Sequence, residues 1–250
     1  MPAWAPIGRI IFAIAILYFA MVHVLSALTL GPQPSFPWMP APKLVLAVIA
    51  ILLLACGAGI FANRYLQPSC IVLAAFLAVY ILSFYIAFIA QDPHDPTRFA
   101  GASELASMAA AALLLAFPAS MSKRAPALTA RIVLALAMVN FGAVHFLLPK
   151  FIGPLVPSWI PGHLFFTYFL GGAFLAAALS FATGIQVRLA GLLLGIMFLI
   201  FFVTVHIPRI THAAHSLDEW TSGVVAFAMI GISWVASESA TVRATTTPDK

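Results

Sequence analysis

Eight stretches of this 250-residue chain are long and apolar enough to cross a bilayer, and short connections are all that separate them. They run approximately 10–30, 43–62, 69–90, 102–118, 131–148, 163–182, 188–207 and 220–236. A helix needs about 20 mostly apolar residues to cross roughly 30 Å of hydrocarbon. Inside that layer every backbone N–H and C=O must find its partner within the protein, so spans of this length read as helices. The runs at 102–118 and 220–236 are short, rich in alanine and entered by Glu104 and by Asp218-Glu219. Both nevertheless hold the fourth place in their half of the chain. Composition agrees, with 63% hydrophobic and 8% charged residues and a mean hydropathy of +1.08. A water-soluble domain carries about a quarter charged residues. The expected fold is therefore all-α, a polytopic membrane bundle of eight transmembrane helices.

These eight runs fall into two similar sets of four. Residues 9–25 read RIIFAIAILYFAMVHVL and residues 131–147 read RIVLALAMVNFGAVHFL. In each, 14 residues separate an arginine from a histidine: Arg9 from His23, and Arg131 from His145. Trp38-Met39-Pro40 recurs as Trp159-Ile160-Pro161, and Pro93 and Glu104 recur as Pro208 and Glu219 with the same 11-residue separation. A period this long marks a duplicated domain rather than a solenoid. The expected organisation is a first four-helix repeat over 1–122, a second over 123–237, and a disordered cytoplasmic tail over 238–250. The first run is longer than a signal-peptide core and has an internal counterpart, so it reads as a retained helix.

Basic residues orient the bundle. Arg9, Arg64, Lys123, Arg124, Arg131, Arg188, Arg243 and Lys250 fall on one face, against Lys43, Arg98, Lys150 and Arg209 on the other. The positive-inside rule then puts both termini in the cytoplasm, in a multi-pass protein of the inner (plasma) membrane. An even number of spans per repeat makes the halves parallel, related by an axis along the membrane normal. Partners are therefore lipid rather than nucleic acid, since no basic patch is interleaved with aromatics. Cys56 and Cys70 form no CxxC pair, and the chain has no P-loop, GxSxG or HExxH motif.

Polar residues gather toward the outer face. His23 and His145 lie about 21 Å along their helices from the arginines, at 1.5 Å per residue. An ionisable group at that depth either hydrogen-bonds a neighbouring helix or marks a functional site. His163 opens the sixth span and His206 closes the seventh, while His94, His212 and His215 fall in outer loops. His206, His212 and His215 have a spacing that suits a metal but no firm carboxylate or cysteine partner, so no metal site is assigned. A haem held between His23 and His145 is a further geometric option. Trp38 and Trp159 sit in proline-stiffened loops, either as headgroup-level anchors or as a rigid lid over a lipophilic ligand. On the lid reading, Trp38, Trp159, His163 and Glu104 contact the ligand. Gly57-Ala58-Gly59, Gly171-Gly172, Gly191-x3-Gly195 and the alanines at 109–112 allow close helix packing.

Residues 141–208 carry FGAVHF at the end of one helix, VPSWIP after it, Gly171-Gly172 in the next helix and Arg188-Leu189-Ala190 at the entry to the third. In these elements the chain resembles the DoxX/DoxD-like family of bacterial membrane proteins, whose unit is a four-helix membrane domain. The second half carries most of the likeness. The first half shares His23, the Trp38 loop and the distal Pro and Glu. The resemblance implies a redox setting, since characterised relatives are associated with thiosulfate:quinone oxidoreduction and with complexes handling oxidative and thiol stress. On that reading the chain is a component of a quinone-linked complex with redox enzyme subunits as partners. His145 or His23 would donate to a quinone near the outer leaflet, and Glu219 and His206 would pass protons outward. Whether it is itself an enzyme is left open, as is the cofactor, with quinone ahead of haem or metal. The alternatives are a small-solute transporter or permease and a non-catalytic scaffold for partner enzymes.

Overall fold

The computed structural model describes residues 4–29, 42–118 and 124–239. Eight long helices account for most of them: α1 (Trp4–Thr29), α2 (Pro42–Phe61), α3 (Leu66–Gln91), α4 (Arg98–Ala116), α5 (Arg124–Leu147), α6 (His163–Thr183), α7 (Val187–His212) and α8 (Leu217–Ser237). There is no strand among the described residues. All eight are long and apolar enough to cross a membrane, and the chain is a polytopic all-α bundle. Trp38 and residues 240–250 of the expected tail lie outside the described residues.

Each long helix packs against the next in the chain, α8 returns to pack on α1, and α4 packs across the middle on α8. The bundle is thus two rings of five helices that share the α4–α8 pair. One ring is α1, α2, α3 and α4 closed by α8; the other is α5, α6, α7 and α8 closed by α4. Neither half of the chain closes a ring with its own four helices. This architecture explains why the fourth span of each half reads weakly as a membrane segment. The central apolar window of α8 is 61% buried within the protein, the highest of the eight, so little of it needs to satisfy lipid.

Small residues let α8 take that position. A Cβ on Gly231 would come within 2.7 Å of the Gly8 carbonyl oxygen and the Phe12 amide nitrogen of α1. On its other flank, a Cβ on Gly191 of α7 would meet the Ser233 carbonyl oxygen and the Ser237 amide nitrogen, each at 2.7 Å. These are backbone-to-backbone approaches of the kind small residues permit between membrane helices. The expected packing role of Gly191-x3-Gly195 holds, with Trp234 of α8 seated over Gly195.

Two helices contain a wide turn. Ile81–Tyr85 in α3 and Phe202–His206 in α7 are π-helical. Such turns insert a residue, re-aim the side chains that follow and occur often at functional sites. The one in α7 corrects the expected end of that span. The helix continues through Ile207–His212, so His206 lies within it rather than closing it. Pro208 is tolerated because it falls in the first turn after the π segment, where its missing N–H and its ring do least damage. Before both α3 and α7 the chain turns through a left-handed residue, Tyr65 (φ 55°) and Gln186 (φ 55°).

Substitution at the central contact should be far more costly than at a glycine facing open space. Gly231→Leu is expected to lose about 1–3 kcal/mol or more through overpacking. Gly172→Ala, where an added Cβ meets nothing within 4 Å, should be neutral or gain up to about 1 kcal/mol from helix propensity. Denaturation midpoints in detergent micelles, measured side by side, check both.

Candidate functional site

The site is framed by two arginines at one end of the bundle and by histidines and acids at the other. The Arg9 guanidinium donates to the carbonyls of Ile60 and Phe61, the last residues of α2. Arg131 does the same for α6, with Nε 3.1 Å from the Phe181 carbonyl oxygen. Each cation thereby satisfies helix-end carbonyls and faces the negative end of the helix dipole. Arg131 is 8% exposed and lies against Gly184, whose left-handed φ of 77° ends α6. A side chain at 184 would be strained by the backbone and would collide with the guanidinium.

At the opposite end His23 and His145 occupy matching environments. His23 Nδ1 lies 2.7 Å from the Phe19 carbonyl oxygen, and His145 Nδ1 lies 2.7 Å from that of Phe141. A carbonyl only accepts, so Nδ1 must carry the hydrogen in both rings, and the neutral imidazole offers Nε2 as an acceptor. In the neutral form each histidine therefore presents an acceptor, not a donor, at Nε2. The His145 ring packs at 5.2 Å from that of Phe174, which continues through Phe198 at 5.7 Å into the second ring.

The two histidines are not brought together. His23 is on α1, which packs on α2 and α8, whereas His145 is on α5, which packs on α4 and α6. Each belongs to a different five-helix ring, and this placement gives no support to a haem shared between them. Among the described residues no group of three or more His, Cys, Asp or Glu side chains could hold a metal.

Glu219 and His206 do share one region. Glu219 accepts two hydrogen bonds from Arg209, at 2.8 Å from Nε and 2.8 Å from Nη2. One turn along α8, an added Cβ on Gly223 would stand 3.5 Å from His206 Cβ. His206 Nδ1 is buried with no hydrogen-bond partner, unlike its counterparts in His23 and His145. In the first ring Tyr85 takes the matching place, its ring carbons 2.9 Å from where a Cβ of Gly101 would sit on α4.

Glu104 and Glu219, which share a spacing from proline in the sequence, part company in space. Glu219 is in the first turn of α8 and ion-paired. Glu104 lies deeper, on the second turn of α4 beyond Gly101. Pro93 is in a loop while Pro208 is inside a helix, so the common spacing does not reflect a common position. His163 begins α6 and is half-buried, with its carbonyl accepting from Thr167 at 2.9 Å. Trp159 is 71% exposed and projects from the bundle, as an interfacial anchor would. The connection before it is a short helix, Pro149–Ile152, and a 3-10 turn, with Gly153 buried against Thr167 of α6.

Two polar contacts were not anticipated. Asn140 Nδ2 donates to Ser103 Oγ at 3.1 Å, joining α5 to α4. Tyr18 of α1 is in hydrogen-bonding reach of Thr221 of α8. The signal was present: between the arginine and the histidine of each segment, Tyr18 and Asn140 are the polar residues, at one aligned place. Both tie the first helix of one half to the fourth helix of the other.

No family model, curated protein or solved structure matches this chain.

At the rim of the site, between α3 and α4, Asp95 accepts from the Thr97 amide at 2.9 Å and the Thr97 hydroxyl at 2.6 Å. These bonds, with Arg98 nearby, hold its carboxyl below the usual carboxylate range. A depressed pKa stabilises the folded turn above the unfolded value, and the benefit fades as pH falls through the folded one. Protection of the Thr97 amide in hydrogen exchange should therefore be constant near neutrality and fall only on strong acidification. Asp95→Asn should weaken that protection at neutral pH.

Proposed function

We propose that this chain is a DoxX-like membrane subunit, built from a duplicated four-helix unit, that binds quinol headgroups for a membrane redox complex. The reading rests on one observation. At the same place in each half a histidine commits Nδ1 to its own helix and keeps Nε2 as an acceptor. A quinol hydroxyl is the donor that such an acceptor fits, better than the carbonyl of the oxidised form. A quinol supplies two electrons and two protons when oxidised. Here Nε2 of His23 or His145 accepts the hydroxyl hydrogen bond and is placed to take its proton. Phe146 and Tyr168, exposed and stacked at 5.7 Å beside His145, offer the ring and tail an apolar surface. His206, with its unpartnered Nδ1, and the Arg209–Glu219 pair lie nearer the surface and form the exit for protons. The chain carries no electron-carrier motif, so electrons pass to redox centres on partner subunits. The basic arginine end faces the cytoplasm of the inner membrane, and the histidine end faces outward.

A transporter is the weaker reading on one specific ground. Between the arginine and histidine ends the interior is filled by Phe12, Ile16, Leu73, Leu77, Leu134 and Met138, all 4% exposed or less. The buried Ser107 at that depth is committed to the Ser103 carbonyl at 2.7 Å and gives a solute no next contact.

Organic extraction of protein gently purified from its native membrane tests the proposal. The expected result is co-purifying quinone or quinol, reduced in His23→Ala and in His145→Ala singly and lost in the double variant. A correctly assembled wild-type protein free of quinone, and unaffected in binding added quinol by either substitution, would overturn it and leave the scaffold reading.

A further inference from the structure

Helix α4 carries a carboxyl, half-buried, below the histidine-end rim of the bundle. Glu104 is four residues before Met108 and seven before Ala111, which are 2% and 0% exposed, and that spacing puts all three on one helix face. One flank of this face is fixed by Gly101, which meets Tyr85 of α3. The other is fixed by Ser103, which meets Asn140 of α5. Between those flanks α4 meets α8, the contact shared by both rings. Glu104 sits about 9 Å along the helix from Arg98, at 1.5 Å per residue, and so below the histidine-end rim.

No hydrogen bond or ion pair engages Glu104 among the described residues. The nearby permanent cations are committed elsewhere. Arg98 serves Asp95, the Phe88 carbonyl, Gln91 and the face of the Phe88 ring. Arg209 serves Glu219. The remaining ionisable groups at this end include Tyr80 and Tyr85 on α3, Asp218 and Glu219 opening α8, His145 on α5, Tyr18 and His23 on α1, His163 on α6 and His206 on α7. The fixed positive charges among the rest are Lys43 on α2, which packs on α1 and α3, and Lys150 after α5, whose short helix packs on α5 and α6. Tyr85 lies against Gly101, three residues before Glu104 on α4. An intramembrane acid that lacks a partner in its own chain takes its counter-charge from outside.

We propose that Glu104 is an exchangeable proton site at the α4–α8 contact, loaded from the histidine end past the Tyr85 hydroxyl. A proton is the one cation that neutralises a carboxylate without further ligands, and among the described residues no group of three or more His, Cys, Asp or Glu could hold a metal here. An unpaired carboxylate in an apolar interior is costly, whereas the acid form asks only for a hydrogen-bond acceptor. The π turn at Ile81–Tyr85 puts the phenol beside Gly101, and so within one turn of Glu104. The second ring has no counterpart, since His206 and Gly223 occupy the matching contact there. This site does not depend on quinol binding.

Dicyclohexylcarbodiimide, an apolar reagent, tests it on the wild-type protein in lipid vesicles. The carboxylic acid adds to the carbodiimide and the O-acylisourea rearranges to a stable N-acylurea, so the protonated form in an apolar setting is what is marked. Peptide mass spectrometry should find the adduct on Glu104, with a yield that falls as pH is raised and is lost in Glu104→Gln. A water-soluble carbodiimide should mark Asp92, Asp95 or Asp218 and spare Glu104. The proposal fails if Glu104 stays unmarked from mildly acidic to neutral pH, if its yield is indifferent to pH, or if the water-soluble reagent marks it equally. Each of these outcomes is read in vesicles that contain no quinone, so failure here leaves the quinol reading intact, and the reverse is also true.

Discussion

The contact between α4 and α8 is the constraint on which the rest of the bundle depends. Within lipid, helices gain little from burying apolar side chains, because the tails are as apolar as leucine. What selects one arrangement is close packing and a small number of polar contacts. Both meet on these two helices. Gly231 and Gly191 let α8 touch the backbones of α1 and α7, and Tyr18 and Asn140 reach Thr221 and Ser103 across the joints between halves. Loosening this pair would open both rings at once.

The two ends of the bundle use polar groups differently. At one end the arginines are structural: each closes the carbonyl end of a helix and is itself held, Arg131 by Gly184 and the Phe181 carbonyl. At the other end polar atoms are left over. His206 Nδ1 is unpartnered, Nε2 of His23 and His145 remains an acceptor, and Glu104 has no cation. Unpartnered atoms are also buried at the arginine end, Trp234 Nε1 and Glu238 Oε1, but the histidine end gathers the titratable side chains.

Much of the architecture was legible because hydropathy and length report directly on span number, and because the Arg–x13–His segments keep their register. The segments α1 and α5 place arginine and histidine in like settings in both halves, as their sequences suggest. The ring closure was not legible. Periodicity carries no facing information when every side of a helix is apolar, and no local signal says that α4 belongs as much to α5 as to α3. The Pro–Glu spacing misled for a related reason. Pro208 sits inside α7 after a π turn, so counting residues from it does not reach the same depth as counting from Pro93. The tautomer of the histidines depends on a backbone carbonyl four residues earlier, which sequence alone leaves undecided.

Closing each ring with a helix from the other half has a consequence for biosynthesis. Helices enter the membrane in the order of translation, and α8 is the last of the eight. Until it arrives α1 lacks its partner at Gly8, α4 lacks its neighbour across the centre, and neither ring is complete. The nascent chain must therefore hold seven inserted helices in a loose, unsealed state, and a chain truncated before residue 217 has no way to shelter the Gly8 backbone. Such a molecule is a natural target for membrane proteolysis. The eighth helix thus acts as the check that the seven before it have all been made.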